Sequence, residues 1–515
     1  MTKTMRHLSL VATLVATLGA THVPAAELSP ASATQYAQAT FREYFELLAL
    51  PNDAIVPADI RKNVDWLEAA FRKRGFTTQQ LPNDGKPMLF AEWPGADPSR
   101  KTVLFYMHLD GQPVIAEQWQ QKSPWVPVLK RKNAKGDWEE IDSAPLFSGP
   151  VDPEWRVFGR SSADDKAPIM MFLAAIDALK ASGDKPGVNV KVVLDSEEEK
   201  GSPSIGKVML AHRDLLRNDA IVIHDGPMHA TNRPTLIFGN RGAAMARLTV
   251  YGARVSLHSG HYGNYSPNPA QRLATLLASM KDEQGRVTVA GYYDHVKLGD
   301  AERKIMAAVP DDEGALKKRL GIAKTDAVGA NYQEAMQYPS LNVRGMQSAA
   351  VGDKAANIVP DTAVAEIDVR TTPDSTAAYL GKLVEAHIQK QGYHIVKGKP
   401  TDEDRARYDK LASFDMQTEG GDAAGTPMDS AVGQWAYTAM VDAFGAKPEP
   451  VRIRMMGGTV PTAEIVEALK VPFAIVPLVN ADNNQHASNE NMRMGNYIDG
   501  TRTIYSLITH PFGGR

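Results

Sequence analysis

Histidine and carboxylate residues stand at the ends of several apolar stretches, a placement that suits a metal-dependent hydrolytic site. His108 and Asp110 end the stretch TVLFYMHLD, and side chains two residues apart share one face of a strand. Asp110 is therefore placed to bind one imidazole nitrogen of His108 and to leave the other nitrogen for a metal ion. Taken alone, the pair is more typical of a structural histidine.

Further carboxylates occupy two similar positions. Asp164 and Asp165 lie in GRSSADDKAPI, between a glycine-containing turn and a predicted helix. Adjacent carboxylates repel each other unless a cation or hydrogen bonds compensate, although Asp165 could simply cap the helix. Asp225 ends the apolar segment IVIHDG and adds a carboxylate at another strand end.

Three consecutive glutamates, Glu197 to Glu199, directly follow the apolar segment VNVKVVLDS. A solvent-exposed run of charge is the simpler interpretation. At the end of a buried strand, however, one glutamate can bind a metal ion while its neighbour acts as a general base. His486 lies in the polar loop NADNNQHASNENM, and a single loop histidine is more often a surface residue than a ligand.

The composition narrows the chemistry further. The chain has 515 residues, 13 His and no Cys, which excludes disulfides, cysteine nucleophiles, zinc fingers and iron–sulfur clusters. A formal net charge of −3 argues against non-specific nucleic-acid binding, and no nucleic-acid partner is expected. Any metal ion must bind His, Asp or Glu, a donor set that suits zinc, manganese or cobalt.

The elements that must position these residues follow from periodicity. Strand-like apolar segments alternate with helical segments up to about residue 239, which predicts an α/β fold with a mainly parallel sheet covered by helices. Ligands bind beyond the carboxyl ends of such strands. From Asn240 the strands become amphipathic, which predicts an inserted α+β domain over residues 240–419 between catalytic parts at 27–239 and 420–515. Residues 285–339 are expected to be irregular and loop-rich.

The N-terminus predicts export. Lys3 and Arg6 precede an apolar run of about a dozen residues, and Ala25 and Ala26 follow it. This pattern favours a cleaved signal peptide over residues 1–26, because a membrane anchor needs roughly 20 apolar residues. We therefore expect a periplasmic or secreted protein without a membrane attachment after cleavage.

The order of the motifs HLD, ADDK, EEEKGS, HDG, HSG and QHASNE resembles a family of di-zinc metallopeptidases. That family includes the carnosinases and other cytosolic dipeptidases, glutamate carboxypeptidase, acetylornithine deacetylase and succinyl-diaminopimelate desuccinylase. The resemblance extends from about Phe41 to the C-terminus. It implies that the inserted domain is a ferredoxin-like lid and dimerisation domain, so that a homodimer is expected. It also implies that the site binds two divalent metal ions. Zinc is the expected metal, with manganese or cobalt as alternatives.

The resemblance assigns the metal ligands residue by residue. His108, Asp164 and Asp225 are implied to bind one metal ion, while Glu199 and His486 bind the second and Asp164 bridges the two. The same resemblance implies a cis peptide bond after Asp164. A hydroxide between the metal ions would be the nucleophile.

The resemblance also implies the remaining roles. Glu198 would be the general base, Asp110 would orient His108, and His258 of the lid would stabilise the oxyanion, in its own or the partner subunit's site. The residues implied to contact substrate are Arg370 and Asn357, at the substrate carboxylate, and Gly457, Gly458 and Thr459, beside its backbone.

Two positions bear on the substrate. Aspartate rather than glutamate at position 225 is typical of the family's dipeptidases and aminopeptidases. Carnosinase-like members carry an acidic residue just before the small-residue turn, where it can pair a free amino terminus, but this chain has Met455 and Met456 there. Methionine favours an apolar or N-acylated group on that side.

The sequence therefore predicts an exported di-zinc peptidase of dipeptides or small peptides, with an N-acyl-amino-acid amidohydrolase as the alternative. A catalytically inactive binding protein is disfavoured by the intact set of ligands. A serine hydrolase is disfavoured because no G-x-S-x-G elbow follows a strand.

Overall fold

The computed structural model describes residues 27–418 and 421–513. The predicted signal peptide, 1–26, and the predicted domain boundary at 419–420 lie outside these residues. The helices of the described residues are α1 (Pro30–Leu48), α2 (Pro57–Lys73), α3 (Ala144–Ser148), α4 (Lys166–Ser182), α5 (Ile205–Ala211), α6 (Ser259–Tyr262), α7 (Pro269–Ala278), α8 (Asp300–Ala307), α9 (Glu313–Leu320), α10 (Tyr332–Ala335), α11 (Ala377–Lys390), α12 (Asp402–Arg407), α13 (Ala431–Phe444), α14 (Thr462–Leu469) and α15 (Met494–Thr509).

The strands of the same residues are β1 (Thr77–Leu81), β2 (Met88–Glu92), β3 (Thr102–His108), β4 (Val128–Lys132), β5 (Trp138–Ile141), β6 (Arg156–Phe158), β7 (Asn189–Asp195), β8 (Ala220–Ile223), β9 (Thr235–Ile237), β10 (Gly239–Asn240), β11 (Gly242–Tyr251), β12 (Leu257–His258), β13 (Asn342–Gln347), β14 (Ile358–Val359), β15 (Thr362–Thr371), β16 (His394–Ile395), β17 (Leu411–Met416), β18 (Ala424–Gly425), β19 (Val451–Ile453), β20 (Phe473–Ile475) and β21 (Asn491–Arg493).

The largest sheet has eight strands in the order β1-β2-β7-β3-β8-β20-β9-β19. Its centre, β7-β3-β8-β20, is parallel, whereas β1, β2 and the β20–β9 contact are antiparallel. Alternate residues of β3 face opposite sides, because Phe105 and Met107 join one hydrophobic cluster and Leu104 and Tyr106 join another. The predicted α/β fold with a mainly parallel sheet covered by helices is confirmed.

Helix α4 is the central helix on one face of this sheet. It is almost entirely apolar, packs against α1 and α15, and ends at Gly183, whose φ of 72° lies in the left-handed region that favours glycine. Since its first residue follows Asp165, the packing of α4 fixes where the ADDK motif lies. Helices α5 and α14 contact each other on the opposite face, within the second cluster.

A separate five-stranded sheet has the order β13-β15-β11-β17-β16, and all its strands lie within residues 240–419. Strand β15 alternates buried and half-buried residues, as an amphipathic strand with one face against a core should. Leu273 and Leu276 of α7 and Leu380 and Val384 of α11 cover the buried face. The predicted inserted α+β architecture is therefore present, while its proposed end points stay a prediction.

Two features differ from the sequence-based expectation. A four-stranded sheet, β21-β6-β4-β5, was not predicted, because its strands are short and its β21–β6 pair joins residues more than 300 positions apart. Residues 285–339 contain α8, α9 and α10, and are therefore less irregular than expected. None of the helices within 27–418 and 421–513 is long and apolar enough to cross a bilayer.

Candidate active site

Three parallel strands bring the predicted residues to one edge of the large sheet. His108 is the last residue of β3, Glu198 begins a 3-10 turn after β7, and Asp225 follows β8 by two residues. Strand β3 lies between β7 and β8, so that the three strand ends are neighbours. The crevice expected beyond the carboxyl ends is therefore the place where these side chains meet.

Asp164 lies between two groups of candidate ligands. Its Oδ1 is 3.0 Å from Nε2 of His108, and its Oδ2 is 3.1 Å from Nε2 of His486. That same nitrogen of His486 is 3.3 Å from Oε2 of Glu199. The ligand atoms of His108, Glu198 and Asp225 also lie within 4.8 Å of one another. Thus the structure brings together all five residues predicted to bind metal, with Asp164 facing both groups.

The donor set fits divalent cations. Asp225 is only 5 % exposed, and its Oδ2 has no hydrogen-bond partner among the described residues. A buried carboxylate oxygen without a partner is costly, and a cation would remove that cost. Imidazole nitrogens together with carboxylate oxygens suit zinc, manganese or cobalt.

The pKa values of these carboxyls reflect the crowding of negative charge. Burial raises the pKa of Asp225 to about 6, and burial together with the charge of Asp164 raises the pKa of Glu199 to about 7. Burial and the charge of Asp225 hold the pKa of Glu198 well above its usual range. Burial also opposes ionisation of Asp164, but hydrogen bonds from His108 and His486 outweigh it and lower that pKa. A bound cation would favour the ionised forms of these carboxyls.

Asp110 connects the end of β3 to the glutamate turn. Its carboxylate accepts the backbone N–H groups of Glu198 and Glu199, at 3.0 and 3.1 Å. Nδ1 of His108 lies 3.2 Å from the carbonyl oxygen of Asp110 and 3.4 Å from its Oδ1. The predicted orienting contact is thus present, and Asp110 also fixes the backbone of the proposed general base.

Asp165 precedes α4, but its side chain makes no capping hydrogen bond. Its Oδ2 instead accepts the backbone N–H of His108, at 3.1 Å. The peptide bond between Asp164 and Asp165 is cis, as the resemblance implies. Asp165 therefore links the ADDK loop to β3 rather than acting as the helix cap that the sequence also allowed.

Glu490 supports the ADDK loop, and sequence reasoning missed it. Its side chain is fully buried, accepts the backbone N–H groups of Ser161, Ala163 and Asp164 at 2.8–2.9 Å, and pairs with Arg160 at 2.7 Å. The antiparallel pairing of β21 with β6 brings Glu490 there. In the sequence, Glu490 lies four residues after the predicted ligand His486. That spacing does not show which backbone groups its carboxylate accepts.

Gln112 is a second residue that was missed. Its Nε2 donates to Oε2 of Glu199, at 2.6 Å. It lies two residues beyond Asp110, in the turn that leaves β3. An amide donor on this oxygen helps to orient Glu199 toward His486.

A cavity of about 800 Å³ is lined by three of the predicted metal ligands, Asp164, Asp225 and His486. The turn predicted to contact substrate, Gly457 to Thr459, forms part of its wall. Nη1 of Arg370 donates to the Thr459 hydroxyl at 3.4 Å, so this predicted residue reaches the same place.

Arg241 is a third residue that sequence reasoning missed. Burial and the nearby charge of Arg370 lower the pKa of Arg241 to about 10. Asp368, whose Oδ1 lies 3.6 Å from Nε of Arg370, compensates part of this positive charge. A substrate carboxylate would add a further anionic partner for these guanidinium groups. In the sequence, Arg241 lies at the junction of the two predicted domains. No periodic pattern there indicates which way its side chain points.

His258 and Asn357 lie elsewhere. Both are exposed, and neither lines the cavity. Nδ1 of His258 accepts the N–H of Gly260 at 3.0 Å, and the carbonyl of Asn357 accepts the N–H of Ser259 at 2.9 Å. Within one chain, the structure does not bring these two residues to the metal-binding residues, so their roles stay predictions.

Comparison with known proteins places this site in a family. The Cys-Gly metallodipeptidase dug1 of Schizosaccharomyces pombe is 26 % identical over 457 residues, covering 86 % of this chain and 87 % of the relative. The human Beta-Ala-His dipeptidase is 26 % identical over 441 residues, covering 84 % of this chain and 79 % of the relative. The crystal structure of the M20 family metallo-carboxypeptidase Sso-CP2 from Sulfolobus solfataricus superposes with a TM-score of 0.69 at 24 % identity, covering 92 % of this chain and 98 % of that one.

The family model described as Peptidase family M20/M25/M40 matches residues 104–510. That span contains every predicted metal ligand, and the resemblance inferred from the motifs is confirmed. The protein is a metal-dependent hydrolase of peptide bonds. The chain belongs to peptidase family M20/M25/M40.

Proposed function

We propose that this chain is a dipeptidase that uses two divalent metal ions, with zinc as the expected metal. The proposed ligands are His108, Asp164, Asp225, Glu199 and His486. The observation that carries this proposal is the position of Asp164, whose two oxygens face separate groups of ligands. The relatives named as dipeptidases support the choice of substrate.

Bound cations would supply Lewis-acid chemistry, activating a water molecule and polarising the scissile carbonyl. Glu198 lines the cavity and takes the proton from the attacking water, then passes it to the leaving amine. Its raised pKa, caused by burial and by Asp225, suits a group that both accepts and donates a proton. Arg370, whose Nη1 donates to the Thr459 hydroxyl, would hold the substrate carboxylate beside the Gly457–Thr459 turn, with Arg241 adding positive charge nearby.

The Glu198→Gln variant tests this role. Turnover of a dipeptide such as Leu-Ala should fall by about 100-fold or more, because a general base contributes roughly that much. Metal content, measured by elemental analysis, should stay unchanged. The matched control is Glu139→Gln, in β5, whose carboxylate pairs with Arg131. Near-normal turnover of Glu198→Gln under metal-controlled conditions would rule the proposed mechanism out.

An N-acyl-amino-acid amidohydrolase is the second candidate. The observation that favours it is the buried Met455, which together with Met456 lines the cavity where carnosinase-like members carry an acid. Assays of matched free and N-acylated dipeptides separate the two. A strong preference for the acylated form would favour this alternative.

We also propose a homodimer formed through the lid domain. Edge strand β13 is exposed along its whole length, and Val343 and Met346 present apolar side chains there. An exposed apolar edge strand readily pairs with another chain. Replacing Val343 and Met346 together with Asp should yield a monomer in analytical ultracentrifugation, while a monomeric unmodified protein would contradict the proposal.

Export is the remaining part of the proposal, and it rests on the signal-like pattern in residues 1–26. The N-terminal sequence of the protein recovered from the periplasm or the medium should begin near Glu27. Recovery of the full-length chain in the cytoplasm alone would contradict export.

A further inference from the structure

The cavity beside the metal-binding residues has one wall that comes from the lid domain. Asp311, Leu316, Tyr332 and Met336 belong to the segment that the sequence predicted as an irregular loop, and all four line the cavity. The cavity therefore contains a carboxylate that none of the predicted roles uses. Asp311 does not belong to the groups of candidate metal ligands found in the described residues.

Hydrogen bonds from His229 and Gln333 hold the Asp311 carboxylate in place. Nδ1 of His229 lies 2.9 Å from the Thr231 hydroxyl and accepts the backbone N–H of Thr231 at 3.3 Å, so its Nε2 faces Asp311. Nε2 of His229 then donates to Oδ1 of Asp311 at 3.2 Å, and Nε2 of Gln333 donates to Oδ2 at 2.7 Å. These two contacts orient the Asp311 carboxylate at the cavity wall.

The Asp311 carboxylate has no Lys or Arg partner within 27–418 and 421–513, where its ion pair is formed with His229. Arg319 lines the same cavity but forms no ion pair with Asp311 in this part of the chain. Burial opposes ionisation, but the hydrogen bonds from His229 and Gln333 lower the pKa of Asp311 below its usual value. An ionised carboxylate on a half-buried wall is stabilised when a cationic group binds opposite it.

The surroundings strengthen such an interaction. Met228, Met336, Met455 and Met456 line the same cavity, so much of the wall around Asp311 is apolar and adaptable. An ion pair is stronger where apolar walls exclude water than where water screens it. The cavity thus combines a fixed negative charge with room for an apolar side chain.

We propose that Asp311 binds the free α-ammonium group of the substrate's N-terminal residue. This inference rests on the proposed dipeptidase function and narrows its substrates to unblocked dipeptides with an apolar first residue. Asp311 reaches the cavity from the lid and supplies the negative charge that Met455 and Met456 do not supply. It is a specificity-determining residue, and it makes the amidohydrolase alternative less suitable.

The test compares Leu-Ala with N-acetyl-Leu-Ala in the metal-loaded protein. The unmodified protein should prefer the free dipeptide. The Asp311→Asn variant should lose about 10- to 100-fold in kcat/KM for Leu-Ala, mainly through KM, since hydrogen bonds to charged groups contribute on that order. Its kcat/KM for the acetylated dipeptide should not fall. Asp311→Glu should retain part of the preference for the free form.

The matched control is Glu313→Gln, which removes a charge two residues away and outside the cavity lining. The Glu313 carboxylate accepts the N–H of Tyr332 at 2.9 Å, and a glutamine oxygen can accept the same bond. This variant should behave like the unmodified protein. Equal losses on both substrates in Asp311→Asn, or no preference for the free dipeptide in the unmodified protein, would overturn the proposal.

A binding measurement separates this inference from the proposed function. Calorimetric titration of metal-loaded Glu198→Gln with each dipeptide reports affinity without turnover. Tighter binding of Leu-Ala, lost when Asp311→Asn is added, supports the inference even if the unmodified protein cleaves neither compound. Equal affinity for both compounds overturns the role proposed for Asp311. If the unmodified protein then cleaves both compounds, the hydrolase function still holds.

Discussion

At the scale of single residues, the site depends on side chains that hold its ligands as much as on the ligands themselves. Asp110 fixes the backbone of Glu198 and Glu199, while Glu490 fixes the loop that presents Asp164. Both supporting carboxylates are fully buried, and each accepts backbone N–H groups. Such contacts restrict the ligand positions before a cation arrives.

The Glu490→Gln substitution tests this support. Removing one member of a buried ion pair leaves Arg160 uncompensated, and such changes cost about 3–5 kcal/mol. We expect a loss of that order in the free energy of unfolding, measured by urea denaturation, and weaker metal binding. The exposed pair of Glu139 with Arg131 provides the control, since Glu139→Gln should change stability by less than about 0.5 kcal/mol. Equal effects of both substitutions would contradict this account.

At the scale of elements, strand pairing decides which parts of the chain meet. The parallel order β7-β3-β8 assembles three strand ends, and the pairing of β6 with β21 adds the two loops that carry Asp164 and His486. Strand β11, of the five-stranded sheet, follows β9 of the large sheet and the short strand β10. Gly242, its first residue, packs against the backbone of Gly421 and Ala423 and against the Thr371 hydroxyl.

Gly242→Ala tests how tightly this junction is packed. A Cβ at this position would overlap the Gly421 carbonyl, a backbone atom that cannot rotate away, so we expect destabilisation by about 1–3 kcal/mol. Gly345→Ala in the edge strand β13 is the control, because its Cβ would meet only Glu366, at 4.0 Å. If thermal denaturation finds the two variants equally stable, the junction is looser than the structure indicates.

At the scale of the whole molecule, the lid segment and the catalytic half share one cavity. Arg454, just before the Met455–Thr459 turn, donates to Glu302 of α8 at 2.8 Å and to Gln337 at 2.7 Å. Nη2 of Arg241 donates to the Tyr338 carbonyl at 2.8 Å. The contacts of Arg454 hold the 300–338 segment against the catalytic half, which explains how Asp311 comes to line the same cavity as the predicted metal ligands.

Metal binding should stabilise the whole molecule. A cation that binds only the folded chain raises the free energy of unfolding by about 2.7 kcal/mol per site at 100 times its dissociation constant. We therefore expect zinc added to chelator-treated protein to raise Tm in calorimetry. Asp225→Asn, which removes the unpartnered buried carboxylate, should reduce that gain, while the exposed Asp137→Asn should not. The same gain in both variants would contradict the assigned ligands.

The sequence by itself determined the class of fold, the strand ends and the chemistry of the donors. Periodicity located β3, β7, β8 and α4, because a buried parallel strand and a buried helix are apolar over their whole length. The absence of cysteine left only nitrogen and oxygen ligands. Five predicted metal-binding residues consequently meet in space.

Only the tertiary structure decided the contacts between distant segments. Glu490 reaches the ADDK loop through a pairing of three-residue strands, too short to show a period. Asp311 reaches the cavity through short helices whose polar sequences resemble loops. Local patterns report which face of an element is buried, whereas the partner of a polar side chain depends on how the elements pack. That is why the sequence could indicate which candidate metal ligands meet, while the residues that position them, and the carboxylate proposed to select the substrate, could not be found from it.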